Sequence, residues 1–541
     1  MGLPILLFAA ALAVRAAAGL FFVGPGYLDA FYYVDVARQL AAGHGLNVPF
    51  VWAYLEVGGH IPAVPLLPVP ADAHWLPLAS LIQVPFIWLL GPTGLASGLP
   101  FWLAGAAAAP LTYLIGLEAG LERWQALVGG ALVAVPGAIT AYMAQPDNFG
   151  LYLFLGTLAL WLCGRGLAGD RRAFVAGGLV VGLASLARND GILLGVPFGL
   201  AFLVERWRAW RAGRGTAAGA GRIGWAAAVG CVLAFAVVMG PWYLRQIAVF
   251  GTPLPSAATG RILWITSYDQ LFSVTGTPTL SSFLAQGLGP LLQSRLLGLV
   301  AAIGLFAYQP FAVVLAPFAA LGAWLQRRAP AFGPWFVYGV TLLAFSSLLF
   351  ALHVPSGNFM HSAVALLPAA YLLLPVGIAA AVGWVARRRR DWDVARASRA
   401  FSAIAVAVVA VFAAGTTIIT SGVFQGVADA RAPIAVALRG LPAADRLMSA
   451  DPAGWWYTTG RSGVMSPADP LPVVEQAAAA YDVRWLVLER SQIVPSLQPV
   501  LDGTAHPGWL SAPIVTASAD GQVAAALYAV CITPGDTRCG H

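Results

Sequence analysis

Runs of about 20 apolar residues, the length a helix needs to cross a hydrocarbon core of about 30 Å, recur in this 541-residue chain until about residue 420. They span approximately 3–23, 98–117, 125–143, 149–166, 173–187, 191–204, 223–244, 304–325, 332–352, 361–386 and 401–420. With 59% hydrophobic and 10% charged residues, the composition excludes an ordinary globular protein. The expected fold is an α-helical polytopic membrane protein with about eleven transmembrane helices. The first run lacks a basic leader and a clear cleavage site, so it reads as a retained helix.

Arginine placement sets the expected orientation. All 30 basic residues are arginine, and the formal net charge is +7. Of the 23 arginines before residue 421, 17 are Arg123 or lie within 165–172, 205–222, 327–328 and 387–399. Eleven crossings with the N-terminus inside put all of these on the cytoplasmic face, as the positive-inside rule requires. The basic balance is therefore topological and points to no nucleic-acid partner. The parity holds if 75–91 lies on the membrane surface as an interfacial helix, which its aromatic flank and the Pro-rich loop before it favour.

The non-cytoplasmic face then carries the first loop 24–97, turns at 144–148, 188–190 and 353–360, and a loop at 245–300. Residues 1–420 form the expected membrane domain. Segment 421–541 has no 20-residue apolar run and contains strand-like stretches such as Trp485-Leu486-Val487-Leu488, so it reads as a small extracytoplasmic α/β or β-rich domain. Cys163 and Cys231 lie inside apolar runs, whereas Cys531 and Cys539 are placed to pair only in an oxidising compartment.

Ionisable groups near a bilayer are costly and need a structural or functional reason. Asp29 precedes Ala30–Leu40, whose spacing fits an amphipathic helix, so it reads either as an N-cap or as an acid–base group. Asp147, before another apolar run, admits the same two readings. Two carboxylates at one membrane surface suit a base with a substrate anchor, or a divalent cation site made by Asp29 and Asp147. Arg188 and Asp190 either neutralise one another or present the arginine to a phosphate. Arg245 and Arg261 read equally as interfacial snorkelling residues or ligand contacts. His74, His353 and His361 are candidate donors, while His44 and His60 have no helical context. There is no HExxH, CxxC or Gly-rich phosphate loop, so neither a tightly bound zinc nor a nucleotide pocket is indicated.

The order of these features resembles the GT-C superfamily of polytopic glycosyltransferases, and within it the family 39 type that includes protein mannosyltransferases and lipid A aminoarabinose transferases. The likeness covers residues 1–420. Leu28-Asp29-Ala30-Phe31-Tyr32-Tyr33 followed by Ala37-Arg38 and Gly43-His44-Gly45 is similar to that family's first-loop pattern. His74-Trp75-Leu76-Pro77-Leu78 is similar to its second. Pro146-Asp147, Ala187-Arg188-Asn189-Asp190-Gly191, and Pro241-Trp242-Tyr243-Leu244-Arg245 with Phe250-Gly251-Thr252-Pro253 resemble later motifs in order.

The resemblance implies a membrane enzyme that moves a sugar from a polyprenyl-phosphate donor to an acceptor hydroxyl on a glycan, lipid or protein, with inversion. It implies Asp29 as the base that takes the acceptor proton. Tyr33, His74, Asp147, Arg188, Asp190, Arg245 and His361 are the expected substrate-binding residues. Two departures stand out. The family often has Asp-Glu where this chain has Asp29-Ala30, and it commonly has Lys in the second motif, whereas this chain has no Lys. A cationic contact to a donor phosphate must then come from His74, Arg188, Arg245 or His361. The competing readings are a polytopic transporter or lipid flippase, which broken helices near the midplane would favour, and a non-catalytic glycan-assembly subunit.

Overall fold

The computed structural model describes residues 2–212, 223–349, 359–388, 392–532 and 537–539. Among them, eight helices are long and apolar enough to cross a membrane: Gly2–Gly19, Gly94–Glu118, Asn148–Leu167, Gly224–Phe250, Leu288–Phe311, Pro330–Leu349, Met360–Ala386 and Val394–Arg439. Seven of these match expected runs, and Leu288–Phe311 overlaps only the start of the run expected at 304–325. The other three expected runs are shorter or interrupted: Arg171–Ala187, Gly195–Ala212, and a run split into Arg123–Ala134 and Ile139–Met143.

That split has a local cause. Pro136 lacks an amide proton, and Gly137 takes φ 65° at a place where a Cβ would lie 2.2 Å from the Gln309 carbonyl. The freed carbonyls of Val133 and Ala134 accept from the fully buried Arg15 guanidinium at 3.2 and 3.3 Å. A cation suits a helix C-terminus, where the unpaired carbonyls carry partial negative charge. The Ala138 amide donates to Gln309 at 2.8 Å. A second break follows close by, at Ala312–Leu315, with Ala312 and Val313 at φ 49° and 65°. The run expected at 304–325 is therefore two helices, Leu288–Phe311 and Ala316–Leu325, and the loop expected at 245–300 contracts to 251–287. Ala316–Leu325 packs on Leu367–Ala386 through Gly322 and Gly377. A Cβ on either would fall 1.9 or 1.8 Å from a carbonyl of the other helix.

In the first loop, the amphipathic spacing becomes the helix Leu28–Ala41. Its N-cap is Tyr27 and Asp29 lies inside the first turn, which corrects the capping reading of Asp29. The surface segment 75–91 forms two short helices, Leu78–Leu81 and Val84–Leu90. Ser80 Oγ and Gln83 Nε2 both donate to the Tyr33 carbonyl, at 3.0 and 3.3 Å, and tie that segment to the Asp29 helix.

The boundary expected at 420 falls inside Val394–Arg439, a helix of 46 residues. At 1.5 Å per residue it is about 70 Å long, roughly twice the hydrocarbon core. It ends against a six-stranded sheet ordered Phe50–Val51, Gly463–Met465, Arg446–Ser449, Val483–Glu489, Gln522–Ala529, Val515–Ala519. The first three pairings are parallel and the last two antiparallel. The edge strand Phe50–Val51 is fully buried and comes from the first loop, so the loop and the C-terminal segment share one sheet. Cys531 and Cys539 form a disulfide.

Arg431, on the long helix, joins these parts. It donates to Glu489 at 2.6 Å and to Asp451 at 2.7 Å, and all three side chains are buried. Trp455 Nε1 donates to the same Glu489 at 2.9 Å, so this buried tryptophan belongs to the core. On the other side Arg431 lies 5.6 Å over the Phe31 ring, which also packs 5.2 Å from Tyr457. Replacing Arg431 with Met strands two buried carboxylates, and breaking such a pair costs about 3–5 kcal/mol. Thermal unfolding of the detergent-purified protein should show a clearly lowered midpoint; an unchanged midpoint would refute this account.

Candidate active site

Asp29 and Asp147 meet because one begins the first-loop helix and the other begins Asn148–Leu167. Asp147 is the N-cap of that helix, and its Oδ1 accepts the Asn148 amide at 2.5 Å. Its Oδ2 accepts from the Tyr27 hydroxyl at 2.5 Å and from His361 Nε2 at 3.0 Å. His361 is stacked on Phe149, with ring centres 3.9 Å apart. Asp29, Asp147 and His361 each bring one ligating atom within 4.8 Å of the others.

The two carboxyls are pushed in opposite directions. Burial, and then the charge of Asp147, raise Asp29 to about 7, with His361 and Arg188 offsetting part of the rise. Burial alone would raise Asp147 too, but His361, the Tyr27 hydroxyl and the Asn148 amide together hold it below the usual carboxylate range. At neutral pH the pair holds one ionised carboxylate beside one poised to take or release a proton, the arrangement that separates acid–base roles.

A cavity of about 510 Å³ opens beside them, within the range of small-molecule sites. Asp29, Tyr33, His74, Arg188, Asp190 and His361 all line it. Arg188 donates to Asp190 at 3.0 and 3.3 Å, a two-pronged pair, and its Nε also reaches Ser362 Oγ at 3.1 Å. Mutual neutralisation is thus present, and Ser362 closes the triangle by donating to Asp190 at 2.5 Å. Tyr33 sits one turn beyond Asp29, and its hydroxyl accepts from Asn148 at 2.7 Å. Burial, and then the Arg188 charge, depress His74 to about 4, so its ring is neutral at physiological pH.

Two expected site residues stand apart from the cavity wall. Asp147 lies behind it, joined through His361. Arg245 points aside: on Gly224–Phe250 the cavity face carries Trp242 and Gln246, four residues apart, while Arg245 is rotated about 100° from Gln246. Its guanidinium lies near the Trp242 and Phe250 rings and donates to the Gln246 side chain and the Leu46 carbonyl. Arg261 is likewise internal, donating to the Gly59 and Gly276 carbonyls. His353 lies outside the described residues. Sequence reasoning missed Trp52, Tyr27 and Ser362. Ser362 adjoins His361 and Tyr27 adjoins Leu28-Asp29, but nothing local marks Trp52, which reaches the cavity through the turn of the first loop.

Several solved structures share the fold of this chain. ArnT from Cupriavidus metallidurans in the apo state matches with a TM-score of 0.56 at 16% identity, over 97% of each chain. Its complex with undecaprenyl phosphate matches at 0.53 and 17%, again over 97% of each. The Archaeoglobus fulgidus oligosaccharyltransferase in complex with Zn and sulfate matches at 0.54 and 14%, over 90% of this chain and 68% of that one. No protein-family model and no curated protein matches the sequence. The likeness to these structures is one of overall fold.

Converting Asp147 to Asn removes the largest charge that pushes Asp29 upward. The Asp29 carboxyl should then titrate below 7, as read by infrared difference spectroscopy of the carboxyl band. An unshifted band would show that the two groups are uncoupled.

Proposed function

We propose that this chain is a membrane glycosyltransferase that moves a hexosyl or pentosyl group from a polyprenyl-phosphate donor to an acceptor hydroxyl of a glycan, lipid or protein, on the non-cytoplasmic face. The observation that carries the proposal is one cavity whose lining holds Asp29, with its raised pKa, and Arg188, while residues of 192–193, 239–243 and 254–265 supply a largely apolar part of it. A base near neutrality, a cation and an apolar groove are what such a reaction needs. Asp29 takes the proton of the acceptor hydroxyl as the acceptor oxygen bonds to the anomeric carbon. The bond from that carbon to the phosphate oxygen breaks on the opposite side, the polyprenyl phosphate leaves with the electron pair, and the configuration inverts. Arg188, held by Asp190 and Ser362, stabilises the charge that grows on the phosphate.

Asp29, Asp147 and His361 fit a divalent cation by donor type and closeness, because two facing carboxylates repel one another and a cation relieves that repulsion. When bound, it would add positive charge near the leaving phosphate. The ArnT structure bound to undecaprenyl phosphate supports the donor class, and the Zn-containing oligosaccharyltransferase supports the cation.

A transport reading draws less support. The helix break at 135–138 packs on Gln309 and Pro310, and Arg15 and the Gln309 carbonyl satisfy its backbone groups, which disfavours a substrate path there. The Cys531–Cys539 disulfide and the arginine distribution both favour a C-terminal segment outside the cytoplasm. A cysteine placed at Asp502 should react with a membrane-impermeant maleimide on intact cells, whereas one at Arg328 should react after lysis alone.

In Asp29→Asn, glycosyl transfer should fall by about two to four orders of magnitude, and wild-type activity would sink the assignment. In the wild type assayed without divalent cation, kcat/KM should rise with pH and level off above about 7, since the base form is the active one. Manganese bound to the purified protein, read by electron paramagnetic resonance, should be lost in His361→Ala; retained stoichiometry would rule out the triad as its site.

A further inference from the structure

Three ring nitrogens on residues that line the cavity are buried and have no hydrogen-bond partner among the described residues: Nε1 of Trp52, Nε1 of Trp75 and Nδ1 of His74. All three rings line the cavity and pack as one unit. His74 lies nearly parallel to Trp52, with centres 5.5 Å apart, and Trp75 stands edge-on to both, 5.0 Å from Trp52 and 4.6 Å from His74. Buried donors left unpaired are costly, and native proteins keep few without a reason. Trp52 is 2% exposed, so bulk water does not satisfy it.

The cluster stands between the two charged parts of the site. Tyr33, one helical turn from Asp29, has its ring 5.9 Å from Trp75. On the other side Asn189, between Arg188 and Asp190, donates to the His74 carbonyl at 2.8 Å. A group seated on these rings is therefore bracketed by the Asp29 helix and the Arg188 turn.

We propose that Trp52, His74 and Trp75 form the subsite for a neutral, hydroxylated sugar ring, with Trp52 and Trp75 determining specificity. The proposal rests on the glycosyltransferase reading and deepens it. Indole N–H groups are donors only, which suits hydroxyl oxygens, and a neutral imidazole nitrogen serves as donor or acceptor. Indole faces carry the negative side of the ring quadrupole, against which the C–H bonds of a sugar ring pack favourably. The cluster carries no formal charge, because His74 stays neutral at physiological pH. A phosphate is better served at Arg188, and an isoprenoid tail by the apolar wall at 254–265. At the position where the family resemblance leads one to expect a cation, this chain has a stacked neutral ring.

The sugar ring can come from the donor or from a glycan acceptor, and equilibrium binding to the full-length protein in detergent separates the two. The probes are farnesyl phosphate, its phosphodiesters with D-mannose and D-arabinose, and the octyl glycosides of both sugars. Trp52→Phe and Trp75→Phe keep an aromatic ring and delete the N–H. Each should weaken binding of the sugar-bearing probes roughly three- to tenfold and leave farnesyl phosphate unchanged. A loss confined to the phosphodiesters assigns the subsite to the donor sugar, and a loss confined to the octyl glycosides assigns it to the acceptor. An equal loss of farnesyl phosphate would overturn the proposal, because the nitrogens would then serve phosphate. So would unchanged binding of every sugar-bearing probe in both variants, or a wild type that gains nothing from the sugar. In those last cases retained farnesyl phosphate binding leaves the glycosyltransferase reading standing, whereas a wild type that binds no probe overturns both.

Discussion

Arg431 is where three separately encoded parts of the chain meet, and the site depends on that meeting. Its guanidinium holds Asp451 and Glu489 of the sheet region, sits on the long last helix, and lies over Phe31 of the Asp29 helix. A buried cation with two buried carboxylates is stable only while all three partners are present. Misplacing the long helix or the sheet region therefore strands charge, and misplacing the Asp29 helix removes the Phe31 ring from the guanidinium. Phe31 is two residues from Asp29, so the sheet region grips the helix that carries the candidate base instead of hanging free of the membrane domain. The strand Phe50–Val51 adds a second attachment from the same loop.

Around this grip the site follows one electrical logic. Two carboxylates brought together near a membrane surface cannot both ionise cheaply. Three donors stabilise the charge on Asp147, and Asp29 absorbs the rise. Arg188 is treated similarly, since Asp190 and Ser362 orient it while leaving it on the cavity wall. Between them the aromatic group of Trp52, His74 and Trp75 supplies polar nitrogens without charge.

Several of these features were legible beforehand. The helix Leu28–Ala41 announces itself by its spacing, and Asp147 by its place before an apolar run. The hairpin around Arg188-Asn189-Asp190 is visible as a polar turn between two short runs. Other readings changed for local reasons. Asp29 is two residues too far into its helix to cap it. Arg245, adjacent in sequence to a cavity residue, is turned aside because neighbours on a helix differ by about 100°. The helix breaks at 135–138 and 312–315 fall in apolar stretches, and only the first carries an obvious Pro-Gly mark.

The membrane-spanning class, the arginine-poor face and the list of polar groups that needed an explanation were written in the order of residues, because hydrophobic length and charge placement are properties of short segments. Convergence was not. That Asp29, Asp147 and His361, separated by more than a hundred residues each, come within 4.8 Å is a result of helix packing. The same holds for a two-residue strand of the first loop entering a sheet built mostly after residue 445, and for Trp52 reaching a wall shared with Arg188. Such contacts arise from the summed burial of many side chains across the bundle, and no local pattern in the chain carries that sum.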